Sequence, residues 1–234
     1  MHLLRTALED LLGLFFPLLC PACGRRPPVH RELLCLSCQV KLPLTGFHLE
    51  ADNPFEERFW GRLSLAAGAA LYHFVKGGRA QRLIHQLKYA GNRDVGRQIG
   101  RFYGRQLRQS RRWAAPELIV PVPLHPRKLH RRGYNQSALF AAGLAEAMEL
   151  PWRDDVLRRR RYTDSQTRKS REERMENVLE AFQLARPKAI AGRHLLLVDD
   201  VLTTGATLEA CGHQLLKAPG VQLSMVTIGI AQLS

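Results

Sequence analysis

No Gly-Lys pair occurs anywhere in the 234 residues. The chain therefore lacks the Gly-x-x-x-x-Gly-Lys-[Ser/Thr] loop on which P-loop nucleoside triphosphatases depend. Aromatic residues make up only 7%, and few are interleaved with the basic stretches, which argues against a surface built mainly to stack bases. Long apolar runs are missing too, and no stretch reaches the length needed to span a bilayer. The greasy amino end is interrupted by Glu9 and Asp10 and lacks a small-residue cleavage site, so it does not read as a signal peptide. Bulky Leu19 precedes Cys20, where lipid processing wants a small residue. Leu4, Leu8, Leu11, Leu12 and Phe15 instead fall at helical spacing and predict an amphipathic helix docked on the protein or a partner. A cytoplasmic protein is expected. No internal repeat or low-complexity segment is present.

What the chain does have is positive charge. Thirty-five Lys and Arg against 21 Asp and Glu give a formal charge of +14, a balance that attracts phosphates on a metabolite, a nucleic acid or a membrane surface. The cations concentrate in residues 97–132 and 153–174, and arginine predominates, whose planar fork suits bidentate phosphate contacts. With 45% hydrophobic residues, the length accommodates one α/β domain of ordinary size and a small appendage.

The appendage is legible in the cysteines. Cys20-Pro21-Ala22-Cys23 and Cys35-Leu36-Ser37-Cys38 are two Cys-x-x-Cys knuckles separated by eleven residues. Each knuckle can present two thiolates to one ion, and the connection is long enough to bring the second pair around, the arrangement of a structural zinc site. The intervening residues cannot form a core unaided, so zinc would supply the folding energy. Disulfides are disfavoured in a reducing compartment, and neither knuckle sits between a strand and a helix as redox chemistry usually requires. Cys211 shares a helical face with Leu208 and Leu215 and reads as core.

The chemistry concentrates near the carboxyl end. Leu195-Leu196-Leu197-Val198 predicts a strand buried on both faces, as in a parallel sheet, whose ligands gather at the carboxyl ends of strands. Asp199 and Asp200 fall there. Thr203, Thr204, Gly205, Ala206 and Thr207 follow as a small loop entering a helix, where free N–H groups and hydroxyls favour an anion. A second buried strand, residues 118–123, stopped by its prolines, leads into Leu124-His125-Pro126-Arg127-Lys128-Leu129-His130-Arg131-Arg132-Gly133-Tyr134-Asn135-Gln136, read as a basic loop before a helix over 137–150. Such a loop suits a pyrophosphate; a nucleic-acid patch has the same composition. Residues 160–177 are polar with no sustained pattern at their start and read as a lid.

The 195–207 stretch resembles the signature of type I phosphoribosyltransferases. That resemblance implies that Asp199 and Asp200 bind the ribose hydroxyls of phosphoribosyl pyrophosphate and that 203–207 wraps the 5-phosphate. Pro121-Val122-Pro123-Leu124, Arg131-Arg132-Gly133-Tyr134-Asn135-Gln136 and the acidic segment stand in the order seen in ComF-type proteins, a family also called GntX. Ile84-His85-Gln86-Leu87-Lys88-Tyr89 matches that family as well, without an assignable chemical role. The likeness covers nearly the whole chain. It implies a flexible catalytic loop carrying Thr163, Gln166, Arg171, Arg174 and Asn177. Arg168-Lys169 departs from the family pattern there, which has a small residue followed by an apolar one. It further implies that Arg127, Arg131 and Arg132, with Asn135 and Gln136 beside them, hold the pyrophosphate together with a magnesium ion.

The expected architecture is a helix and zinc ribbon over 1–45, followed by a type I phosphoribosyltransferase fold over 46–234, a parallel sheet with helices on both faces. Residues 59–74 and the helices after them are expected to form a hood over the ligand, and the last strand to run over 221–230. The expected function is phosphoribosyl transfer to an unidentified acceptor. The alternative is a non-catalytic competence factor that handles single-stranded DNA and uses phosphoribosyl pyrophosphate as ligand or signal, working with competence proteins.

Overall fold

The computed structural model describes residues 19–25, 33–89, 93–160 and 181–232. The expected amino-terminal helix lies outside them, as do Thr163, Gln166, Arg171, Arg174 and Asn177 of the expected lid. Among the described residues no helix is long and apolar enough to cross a membrane.

A four-stranded parallel sheet organises the chain. Its strands are β1 (Ala67–Phe74), β2 (Leu118–Pro121), β5 (His194–Leu202) and β6 (Gln222–Ala231), in the spatial order β1-β6-β5-β2. The aliphatic run of β5 is fully buried between β2 and β6, with Leu195 paired to Leu118 and to Leu223. Two short strands, β3 (Leu157–Arg159) and β4 (Phe182–Leu184), make a separate antiparallel pair. β2 ends at Pro121, although Val122 N still donates to Val198 O at 2.9 Å.

Six helices accompany these strands among the described residues. They are α1 (Leu36–Lys41), α2 (Arg79–Tyr89), α3 (Arg93–Gln109), α4 (Pro126–Arg132), α5 (Gln136–Met148) and α6 (Ala206–Leu215). α5 packs on β2 and β5, and α3 lies over α5. The two helices approach at backbone distance. A Cβ at Gly143 would overlap the Arg97 carbonyl oxygen, and one at Gly100 the Phe140 carbonyl oxygen. α6 packs against β5 and the β3–β4 pair, with Leu208, Cys211 and Leu215 buried. Cys211 is a core residue, as its helical spacing predicts.

Two sequence expectations are corrected. Residues 59–74 do not form a hood: 67–74 is β1, an edge strand of the main sheet paired with β6. Its small residues Ala67, Gly68, Ala69 and Ala70 carry little strand signal but are buried. The basic stretch after His125 is not a loop but contains α4. Its ends carry local signals, with Pro126 at the first turn, His125 Nδ1 accepting from Arg127 N at 3.2 Å, and Gly133 closing it at φ +79°.

Both sheet edges have company. Leu44 bridges to Tyr72 in antiparallel sense, while His73 N donates to Pro43 O and Thr45 N to Leu71 O along β1. Ile119 of β2 exchanges bonds with Pro151 and Arg153 on its outer side.

Candidate functional site

Asp199 and Asp200 come at the carboxyl end of β5, where the buried strand brings two carboxylates under the amino end of α5. Ser137 Oγ donates to Asp199 Oδ1 at 2.8 Å, and Asp200 N donates to the same oxygen at 2.8 Å. Gln136 Nε2 donates to Asp200 Oδ2 at 2.9 Å, and Lys88 Nζ on α2 reaches that oxygen at 3.0 Å. Burial, followed by the neighbouring Asp200 charge, pushes Asp199 up to about 7, against the pull of Ser137, the Asp200 amide and Lys88. Asp199 therefore changes its charge near neutrality.

The α5 entry is set by Asn135. Its Oδ1 accepts from Ser137 N at 3.1 Å as an N-cap, and its Nδ2 donates to Val122 O at 2.9 Å, tying the helix to the end of β2. Arg132 donates to Gln136 Oε1, so α4 is linked through Gln136 to Asp200. Arg127 and Arg131 stand exposed on α4. His125 is held neutral by burial and by nearby Arg159 and Arg127, which keeps its Nδ1 an acceptor for the helix cap.

Residues 203–207 wrap the start of α6. Gly205 adopts φ +88°, a left-handed conformation that an L side chain resists. With Asp199, they line a recess of about 40 Å³, larger than the ~10–15 Å³ that a water requires. Thr203 and Thr204 are exposed and Gly205 is buried. The loop is braced from behind by Arg58, which donates to both Thr203 O and Ala231 O, and by Arg62, which pairs with Glu209 of α6 at 2.8 Å. The chain thus brings the 199–207 segment, Asn135 and Gln136 into one neighbourhood. The sequence alone assigns no site role to Lys88, Ser137 or Arg58. Lys88 lay in the motif without a role, and only the fold carries it to Asp200, far along the chain.

The four amino-terminal thiols also converge. Sγ atoms of Cys20, Cys23, Cys35 and Cys38 all lie within 4.8 Å of one another, with Cys23 and Cys35 at 3.9 Å. Tetrahedral bonds of ~2.3 Å place sulfurs ~3.8 Å apart, so the cluster fits a four-thiolate metal centre. Each knuckle turns on backbone bonds to its first carbonyl, from Gly24 N to Cys20 O at 2.7 Å and from Cys38 N to Cys35 O at 2.8 Å. Burial and the neighbouring thiols push Cys38 up to about 12, so a cation is needed to draw off its proton.

Residues 135–233 match the phosphoribosyl transferase domain family. DNA utilization protein YhgH of Escherichia coli K12 is 33% identical over 202 residues, covering 85% of this chain and 78% of that protein. Competence protein F of Haemophilus influenzae is 28% identical over 225 residues, covering 89% and 94%. Competence protein ComFC of Bacillus subtilis is 25% identical over 214 residues, covering 90% and 77%. The fold is that of type I phosphoribosyltransferases, and likeness of this extent, reaching well ahead of the transferase domain, means that the chain belongs to the ComF family.

Proposed function

We propose that the protein binds phosphoribosyl pyrophosphate across the carboxyl ends of β2 and β5 and transfers its phosphoribosyl group to a nucleophilic acceptor. The observation that carries this reading is the contiguity of Asp199 and Asp200 with the Gly205 turn that opens α6. Two acceptors for hydroxyls and a recess at a helix N-terminus stand side by side, which suits the two ends of a ribose 5-phosphate. Loss of pyrophosphate develops positive charge at the anomeric carbon and negative charge on the departing group. The acids would face the first, and the α4 cations Arg127, Arg131 and Arg132 the second. Asp199 and Asp200 are committed to Ser137, Gln136 and Lys88. A magnesium ion arriving with the ligand would supply charge neutralisation on the leaving group. Zinc in the four-cysteine cluster is part of the same reading, with a structural role.

Calorimetry with phosphoribosyl pyrophosphate and magnesium tests the pocket. Binding should be abolished by Asp199→Ala plus Asp200→Ala, and unchanged affinity in that variant overturns the assignment. Release of pyrophosphate in a screen of nucleobases and amines identifies the acceptor.

A second reading, single-stranded DNA handling, draws on the relatives named for DNA utilization and competence and on one surface feature. A groove of about 660 Å³ between α4, α5 and β3 gathers Arg97, Arg158 and Arg160 beside exposed Trp152. Cations with an aromatic platform suit a single strand. Titration at several salt concentrations should show salt-sensitive binding that Trp152→Ala weakens. Binding without salt dependence counts against it.

A further inference from the structure

Two adjacent carboxylates that must receive a polyanionic ligand pose an electrostatic problem. Buried acids repel each other and the incoming phosphates, and a protonated acid loses an acceptor. Lys88 addresses both. It projects from the last turn of α2 onto Asp200 Oδ2 at 3.0 Å, with only a quarter of its side chain exposed, while the Asp200 side chain is almost wholly buried. Gln136 Nε2 shares the same oxygen, so the ammonium and the amide clamp Asp200 from two helices. Asp200 N in turn donates to Asp199 Oδ1, which passes the constraint to the neighbouring acid.

We propose that Lys88 is a positioning residue of the ribose subsite, an internal counter-cation that fixes Asp200 in place and favours the ionised, hydroxyl-accepting form of the neighbouring Asp199. This rests on the reading of Asp199 and Asp200 as the ribose-binding pair. Among the described residues, the charged and titratable groups facing the pair are Lys88 from α2, Arg159 from β3 and Cys211 from α6, with Arg132 of α4 acting through Gln136. Arg159 and Cys211 bear on Asp199, and among the described residues Lys88 is the cation in direct contact with Asp200. The role is distinct from ligand contact: the ammonium is engaged with protein oxygen, and its effect on the ligand passes through the acids.

The experiment compares wild type, Lys88→Met and Lys88→Arg, each verified as folded by circular dichroism. In the ligand-free protein, the side-chain carboxyl ¹³C resonance of Asp199, assigned with Asp199→Asn, is followed against pH. Lys88→Met should raise the Asp199 midpoint by about one pH unit, a tenfold change in proton affinity, and Lys88→Arg should leave it near wild type. Calorimetry with phosphoribosyl pyrophosphate and magnesium follows from pH 6 to pH 9. Lys88→Met should bind about tenfold more weakly at pH 7, with the deficit closing toward pH 9 as Asp199 ionises, and Lys88→Arg should restore binding.

An unmoved Asp199 midpoint in folded Lys88→Met overturns the proposal. So does an affinity loss equal at every pH, which would make Lys88 a direct anion contact. Failure of the wild type to bind phosphoribosyl pyrophosphate overturns the ligand reading instead, while the ligand-free titration still decides the role of Lys88.

Discussion

Replacing Asp199 with asparagine should make the ligand-free protein more stable at pH 8 while removing its capacity to hold ribose. Burial and Asp200 raise Asp199 from an ordinary 3.8 to about 7. A carboxyl whose folded value lies above its unfolded one favours the folded state fully below about pH 4. That contribution is lost as pH climbs through about 7, because the unfolded chain releases its proton first. At about 1.4 kcal/mol per pH unit, the loss reaches at most about 4 kcal/mol by pH 8. The asparagine would remove the ionisation while its amide oxygen still accepts from Ser137 Oγ and Asp200 N, the two bonds that Asp199 Oδ1 makes. Urea denaturation of wild type and Asp199→Asn at pH 5 and pH 8 is the assay. The advantage of the variant should grow by about 2–3 kcal/mol between the two conditions. A difference that stays constant with pH, or a variant less stable than wild type at pH 8, refutes the reasoning.

Three further outcomes are expected. Gly143→Ala should cost about 1–3 kcal/mol or more in urea denaturation, because its methyl group meets the Arg97 carbonyl of α3 and backbone cannot step aside as a side chain can; a neutral result would show that α3 and α5 separate easily. Gly205→Ala should lose about 1 kcal/mol for its φ of +88°, with an added clash against the Phe59 ring at 3.3 Å, and should weaken binding of ribose 5-phosphate in calorimetry; unchanged affinity would dissociate the turn from the phosphate. Protein purified under reducing conditions should carry about one zinc per four-cysteine cluster, and Cys38→Ser should lower both metal content and melting temperature, whereas a metal-free preparation that melts at the same temperature would refute a structural zinc.

What could be read from the sequence was what is local in it. The 199–207 segment displays its strand, acids, turn glycine and helix within a dozen residues, and the two cysteine knuckles are equally compact. The Leu195 to Val198 run announces a doubly covered strand because each residue is buried. β1 hid because its inward residues are largely alanine and glycine, which pack in a sheet without looking like strand formers. α4 hid behind its charges, although Pro126 and Gly133 mark its ends. Lys88, Arg58 and Ser137 owe their place in the site to helix docking and to the crossing of β1 beside β6. No spacing rule encodes a contact between residues 88 and 200.

The short stretch over 43–45 that follows the cysteine knuckles has a consequence for solubility. By taking up Leu71 O and His73 N of β1, it occupies backbone groups that would otherwise offer a template to a strand from another molecule. Pro151 and Arg153 do the same for Ile119 on the opposite side. The four-cysteine module and the sheet are thereby joined in one fate. If the four-cysteine cluster holds zinc as proposed, a chain stripped of it should uncover a strand edge, and the first sign of metal loss should be self-association, seen by light scattering before the helical signal falls.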